Sequence, residues 1–169
     1  MSTRLLFCAL IVSALTGSIC SAQSDLPAAD SSSLDFKPWS LLAIQDGGRR
    51  KPIDTFARET LTRVTGQSSY TDILGKKWAA NDFILSALIQ THDWQNEPMV
   101  LVTYGKLVDR LALDKTKRRF SAAQLSALPE LNRLGSEARA LQKAEKPLDR
   151  FQQEVLRVND RLALFTHVM

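Results

Sequence analysis

The sequence predicts a mainly α-helical domain with a minor two-stranded β element and a C-terminal long helical hairpin, on three observations. From Leu131 the apolar residues step by three and four (Leu131, Leu134, Ala138, Leu141), and after Pro147 they do so again (Leu148, Phe151, Val155, Val158, Leu162, Phe165, Met169). Charged and amide residues fill the positions between them, the pattern of helices packed at a shallow angle. Ser121 and Gln124 have the spacing of a capping box, and Phe120 and Leu125 that of a hydrophobic staple, so a helix starts at Ala122. Only two short runs read as strands, Leu41 to Ile44 and Met99 to Val102.

At the N-terminus, Arg4 precedes an apolar run from Leu5 to Leu15, and Cys20-Ser21-Ala22 offers small residues where a signal peptidase reads. Residues 1–22 therefore read as a signal peptide, with a run too short to span a bilayer as a helix, and the chain as an exported, periplasmic one. Ile19 is bulky where lipoprotein processing at Cys20 wants a small residue. Both cysteines, Cys8 and Cys20, lie in this segment; the exported chain is expected to carry no thiol, hence no disulfide, thiolate metal site or C-x-x-C-H haem attachment. Residues 23–35, rich in Ser, Asp, Ala and Pro, read as a flexible lead. Residues 36–169 form one domain, long enough to bury on the order of two-thirds of the unfolded surface.

Within that domain the strand Leu41 to Ile44 runs into a tight turn at Asp46-Gly47-Gly48, a basic step at Arg49-Arg50-Lys51 and a helix opened by Pro52. Two glycines after Asp suit a turn that needs positive φ. Asp54 or Thr55 is expected to cap the helix, Asp54 to pair with Arg58 one turn on, and Gly66 to end it in the left-handed conformation. Ser68 to Thr71 reads as a polar connection. Asn81 is the expected cap of a second helix with Phe83, Ile84, Ala87 and Leu88 on one face, ending near His92. Met99 to Val102 is expected to pair with Leu41 to Ile44. Lys106 to Leu113 reads as a short helix with Leu107, Val108 and Leu111 inward, interrupted by the charged run Lys115 to Arg119. Pro129 either restarts the helix begun at Ala122 or sits in the first turn of the next, and two long helices fold back around Lys146-Pro147. The closing run Ala163 to Met169 is more apolar than what precedes it and has neither stop glycine nor polar tail, as if the pattern continued in something longer.

The formal charge of +4 is spread over Arg49 to Lys51, Lys76-Lys77 and Lys115 to Arg119, and export makes nucleic acid an improbable partner; a solvated face is the ordinary meaning of such runs, and an anionic membrane surface or haem propionates the functional alternative. No nucleophile motif, phosphate loop or H-E-x-x-H stands in the sequence, so catalysis by this chain alone is not expected. His92, beside Asp93 near a helix end, is the candidate cofactor-binding residue, but no second ligand stands at a useful spacing. His167 lies off the heptad seam and should be exposed. At the turn, Gln45, Asp46 and Arg49 could project as a partner contact, while turn chemistry alone accounts for Gly47, Gly48, Pro52, Asp54 and Thr55.

Taken together, I-Q-D-G-G-R-R-K-P-I-D-T-F-A-R-E at Ile44 to Glu59, T-G-Q at Thr65 to Gln67, D-W at Asp93-Trp94 before P-M-V-L-V, R-F-S at Arg119 to Ser121 and N-D-R-L at Asn159 to Leu162 resemble the exported segment of a system II cytochrome c biogenesis protein. The resemblance runs from about Leu41 to the end and is sharpest in Q-D-G-G-R-x-K-P-x-D-T-F-A-R. It implies an accessory or docking module in haem delivery to c-type cytochromes. Its implied partners are membrane-embedded cytochrome c assembly components and apocytochrome c, and haem is implied for the full-length family rather than for this chain alone. The family's haem-handling W-W-D segment and flanking histidines have no counterpart here: Trp39, Trp78 and Trp94 stand apart in the sequence. The alternative is a free-standing periplasmic helical binding or scaffold domain using the Leu131 to Met169 hairpin as its partner surface.

Overall fold

Thirteen elements, seven helices and six short strands, make up the computed structural model over the residues it describes, 35–169. The expected signal peptide and all but the last residue of the expected lead lie outside the described residues. Asp35, assigned to that lead, caps α1 (Phe36–Ser40) by accepting from the Lys37 N–H at 2.9 Å. The domain is mainly helical with a minor β component, and it ends in a long helix packed back on its predecessor.

After α1 come β1 (Ala43–Asp46), β2 (Arg49–Pro52) and α2 (Ile53–Thr65). The basic step expected between turn and helix is itself a strand: β1 and β2 form an antiparallel hairpin with Asp46 opposite Arg49 and Ala43 opposite Pro52. Gly47 and Gly48 lie at φ +56° and +78°, the two consecutive left-handed residues of the turn whose twist matches a hairpin. No atom lies within 4 Å of a Cβ built on Gly48, so Gly48→Ala would be strained by backbone conformation alone. It is expected to lower unfolding stability by about 1 kcal/mol in urea titration.

β3 (Ser69–Thr71) and β4 (Lys77–Ala79) form a second hairpin where only a connection was expected, and α3 (Ala80–Leu88) follows directly. β5 (Val100–Leu101) pairs with β6 (Arg119–Phe120), not with β1, so the expected pairing of the two apolar runs is overturned. Between them lies α4 (Gly105–Arg110), with Leu107, Val108 and Leu111 inward as expected. α5 (Ala122–Ser126) starts where the cap places it: Ser121 Oγ accepts from the Gln124 N–H at 3.1 Å, and Phe120 and Leu125 are both buried. Pro129 stands in the first turn of α6 (Pro129–Lys143), and α7 (Arg150–Val168) returns against it.

Two expected caps are replaced. α2 begins at Ile53 with Pro52 at its cap position, and neither Asp54 nor Thr55 caps it. α3 begins one residue before Asn81, and the Asp82 carboxylate accepts from the Ala79 N–H. Gly66 ends α2 at φ +76° as expected.

One continuous core results. Leu61 and Val64 of α2, Phe83 and Ile84 of α3, Val100, Phe120, Leu125 and Leu131 meet Val155, Val158 and Phe165 of α7. The heptad seam of the last helix is thus satisfied by α2, β5 and α6 together rather than by α6 alone. No helix among the described residues is long and apolar enough to cross a membrane.

Candidate functional site

Three neighbourhoods gather the polar residues of interest, beginning with the signature hairpin. Lys51, on β2, places its Nζ 2.8 Å from Asp46 Oδ2 across the hairpin and 2.6 Å from Glu59 Oε2 on α2. The hydrogen bond from Lys51 holds the Asp46 carboxyl below its ordinary value, and the bonds to Asp46 and Glu59 push the Lys51 ammonium up. Asp54 accepts from Arg58 Nε and from Asn81 Nδ2, each at 2.8 Å, so Asn81 ties α3 to α2 instead of capping. The Arg58 bond leads in holding the Asp54 carboxyl down. Gln45, Gly47, Gly48, Arg49, Pro52 and Thr55 are exposed. Lys51, Asp54 and the turn glycines thus serve the shape of the junction, while Gln45 and Arg49 remain available on its surface.

A second neighbourhood forms at the end of α2, where the remaining motif residues meet. Arg119 Nε donates to the Thr65 carbonyl at 3.0 Å; Arg161 donates to the Arg63 carbonyl at 3.0 Å and through Nη1 to the Leu101 carbonyl at 2.6 Å. Cations at a helix C-terminus satisfy carbonyls that have no partner within the helix and complement its dipole. Burial, then the nearby Arg157, lowers the Arg161 pKa. T-G-Q, R-F-S and N-D-R-L, distant in sequence, are therefore parts of one structural junction.

The third neighbourhood surrounds His92. Trp78 and Trp94, apart in sequence, meet edge to face with ring centroids 4.9 Å apart; Phe83 stands 4.9 Å and His92 4.3 Å from Trp94. The polar groups of Tyr70, Ser86, Trp94 and Glu97 here each have a partner. Tyr70 OH donates to Glu97 Oε2 at 2.9 Å, and Trp94 Nε1 donates to Ser86 Oγ at 3.1 Å. His92 Nε2 lies 3.1 Å from Glu97 Oε1, a hydrogen bond in the Nε2–H tautomer. Glu97 is 3% exposed. Burial, followed by the bond to Glu97, pushes the Tyr70 hydroxyl well above its ordinary value.

Asp72 completes this cluster. Its carboxylate accepts from Trp78 Nε1 at 2.8 Å, Lys76 N–H at 2.8 Å and Leu74 N–H at 2.9 Å. Burial works to raise its pKa, but these three bonds together outweigh burial and the net direction is downward from 3.8. A carboxyl depressed in the folded state stabilises fully above its unfolded value and loses that contribution as pH falls through the folded one. Unfolding midpoints in urea are therefore expected to drop between neutral pH and about pH 3. The drop should be smaller in Asp72→Asn, which starts lower at neutral pH.

Tyr70, Asp72, Trp78 and Glu97 were not singled out by sequence reasoning, and they share no spacing that could have marked them. No hydrogen bond or ion pair joins the hairpin to His92 among the described residues. His167 is exposed, as expected. His92 Nε2, the atom an axial haem ligand would offer, is turned to Glu97 in this arrangement, and its ring is tilted 55° against Trp94 beside a groove of about 270 Å³. Among the described residues no group of three or more His, Cys, Asp or Glu side chains could hold a metal ion. Comparison with family models and with curated proteins finds no match to this chain.

Proposed function

We propose that this chain is an accessory docking module in c-type cytochrome biogenesis, exported to the periplasm, that presents its signature hairpin to membrane-embedded assembly components or to apocytochrome c. The observation that carries the reading is where the resemblance residues lie. The stretches that resemble the system II protein build either the β1–β2 hairpin, the junction at the end of α2 or the wall of the Trp94 cluster. At the last two, Arg119, Arg161 and Trp94 are tied into the fold by their contacts, whereas the hairpin turns Gln45 and Arg49 to the surface. Gln45 and Arg49 project from a turn held by Lys51, Asp46 and Glu59, and a preorganised loop loses little entropy on binding. In this role the chain binds and positions and performs no chemistry of its own; haem belongs to its partners.

The free-standing scaffold reading draws less support. Its partner surface was to be the terminal hairpin, and the apolar seam of α7 is buried in the domain's own core.

Affinity purification of the tagged chain from detergent-solubilised membranes of the source cells tests the proposal. Cytochrome c assembly proteins should be enriched over an untagged control, and a Gln45→Ala/Arg49→Glu variant should lose that enrichment while melting like wild type. Absence of any assembly protein from the wild-type eluate would overturn it.

A further inference from the structure

The turn between β3 and β4 displays two large aliphatic side chains where a polar loop is the norm: Ile73 is 73% and Leu74 84% exposed. They are held out rather than loosely placed. Asp72 accepts from the Leu74 and Lys76 amides, its own N–H donates to the Lys76 carbonyl at 3.0 Å, and Gly75 N–H donates to the Asp72 carbonyl at 3.0 Å. The same carboxylate is bolted to the buried Trp78 indole, so the turn cannot fold its apolar tip back onto the domain. A second exposed pair, Leu88 and Ile89, ends α3. The loop that follows it places His92 5.3 Å from the same indole.

Charge accompanies this surface. Lys76 lies over the Trp78 ring with Nζ 4.1 Å from its centroid, and Lys77 is exposed. Neither has an ion-pair partner among the described residues. Asp72 is buried, and Asp93 in the neighbouring loop accepts from Asn96. The tip protrudes, with Ile73 and Leu74 largely exposed at its end and Lys76 and Lys77 following at its base. A protruding tip has nothing to enclose, but it can enter a fluid interface, where aliphatic groups reach the acyl boundary while lysines remain among anionic headgroups.

We propose that the β3–β4 turn is a membrane-surface anchor: Ile73 and Leu74 insert into an anionic bilayer interface, with Lys76 and Lys77 contacting lipid phosphates. This orients the domain on the membrane whether or not the assembly role holds, and it goes beyond that role.

The test is vesicle co-sedimentation of the chain from Gln23 to Met169, which omits the Leu5 to Leu15 run and retains the entire core. Binding is expected to phosphatidylcholine vesicles containing about 30% phosphatidylglycerol, and to weaken in salt or with neutral lipid. Ile73→Ser/Leu74→Ser should reduce it about tenfold, and Lys76→Glu/Lys77→Glu comparably. Arg49→Glu/Arg50→Glu, an identical charge change on the signature hairpin, should leave it nearly intact. Leu74→Cys, which gives residues 23–169 their sole thiol, should blue-shift an attached environment-sensitive fluorophore on vesicle addition, which reads insertion without relying on the double variants. Failure of wild type to bind, undiminished binding by the Ile73/Leu74 variant, equal loss in the Arg49/Arg50 variant, or an unshifted fluorophore would each overturn the proposal. Loss of membrane binding with assembly partners still captured would sink the anchor alone; the converse would sink the docking role alone.

Discussion

Trp94→Ala is expected to destabilise the domain by about 3–5 kcal/mol, a large share of the roughly 5–15 kcal/mol of an ordinary domain. The indole is 1% exposed and is shared by Phe83, Trp78, His92 and Tyr70, whose ring centroids stand between 4.3 and 6.2 Å away. These rings come from β3, β4, α3 and the loop after it, so the void cannot close by movement of one element. Ser86 Oγ would also lose the indole donor. Trp94→Phe keeps most of the volume and loses only that bond, so it should recover more than half of the deficit in a urea titration. Equal losses for the two variants would mean that the hydrogen bond, not the packing, holds the cluster.

Glu97→Ala should cost about 3 kcal/mol, because it strands two groups that the carboxylate satisfies, the Tyr70 hydroxyl and His92 Nε2, and an unpartnered buried donor costs about 1–3 kcal/mol. Glu97→Gln discriminates between charge and hydrogen bonding. Its carbonyl can accept from one partner, and its amide can donate to the Tyr70 oxygen or to a deprotonated His92 nitrogen. Near-wild-type stability for the glutamine variant would assign Glu97 a positioning role through hydrogen bonds. A loss as large as that of alanine would mean that the negative charge itself is required. Thermal melts of both variants beside wild type settle which holds.

The parts of this fold legible in the sequence are those governed by local chemistry. Ser121 announces its helix because a hydroxyl at that spacing satisfies an otherwise free amide, and Gly47-Gly48 announces its turn because few residues tolerate two successive positive φ values. Asp149 and Gln152 form a full capping box at the start of α7; the D-x-x-Q spacing was there to be read but passed as polar filler in the heptad.

Strand pairing was not legible, for a physical reason. R-R-K-P has neither alternation nor β-branched residues, yet a two-residue turn fixes its register against β1 regardless of composition. β5 and β6 are two residues each, too short to carry a period. The expected pairing of the two apolar runs followed hydrophobicity, whereas Arg119-Phe120 is brought to β5 by the α4 connection. Leu88, expected on the buried face of α3, is exposed because the helix has reached its last turn there.

The Trp94 cluster was illegible for a different reason. Its members arrive from four separate segments with no common spacing, and only folding brings Tyr70, Glu97 and His92 into one chain of hydrogen bonds. The hairpin is the reverse case: its residues were visible as a motif, but which of them reach the surface is set by the fold. In the structure Lys51, Asp46 and Asp54 form ion pairs, and Gln45 and Arg49 are exposed.

Covalent haem in the source cells tests most directly the proposed role of this chain in the maturation of c-type cytochromes. Deleting the gene and staining membrane proteins for haem after denaturing electrophoresis should reveal loss of the c-type cytochrome bands. They should return with the wild-type chain, and not with the folded Gln45→Ala/Arg49→Glu variant. Undiminished haem-stained bands in the deletion strain would contradict the account.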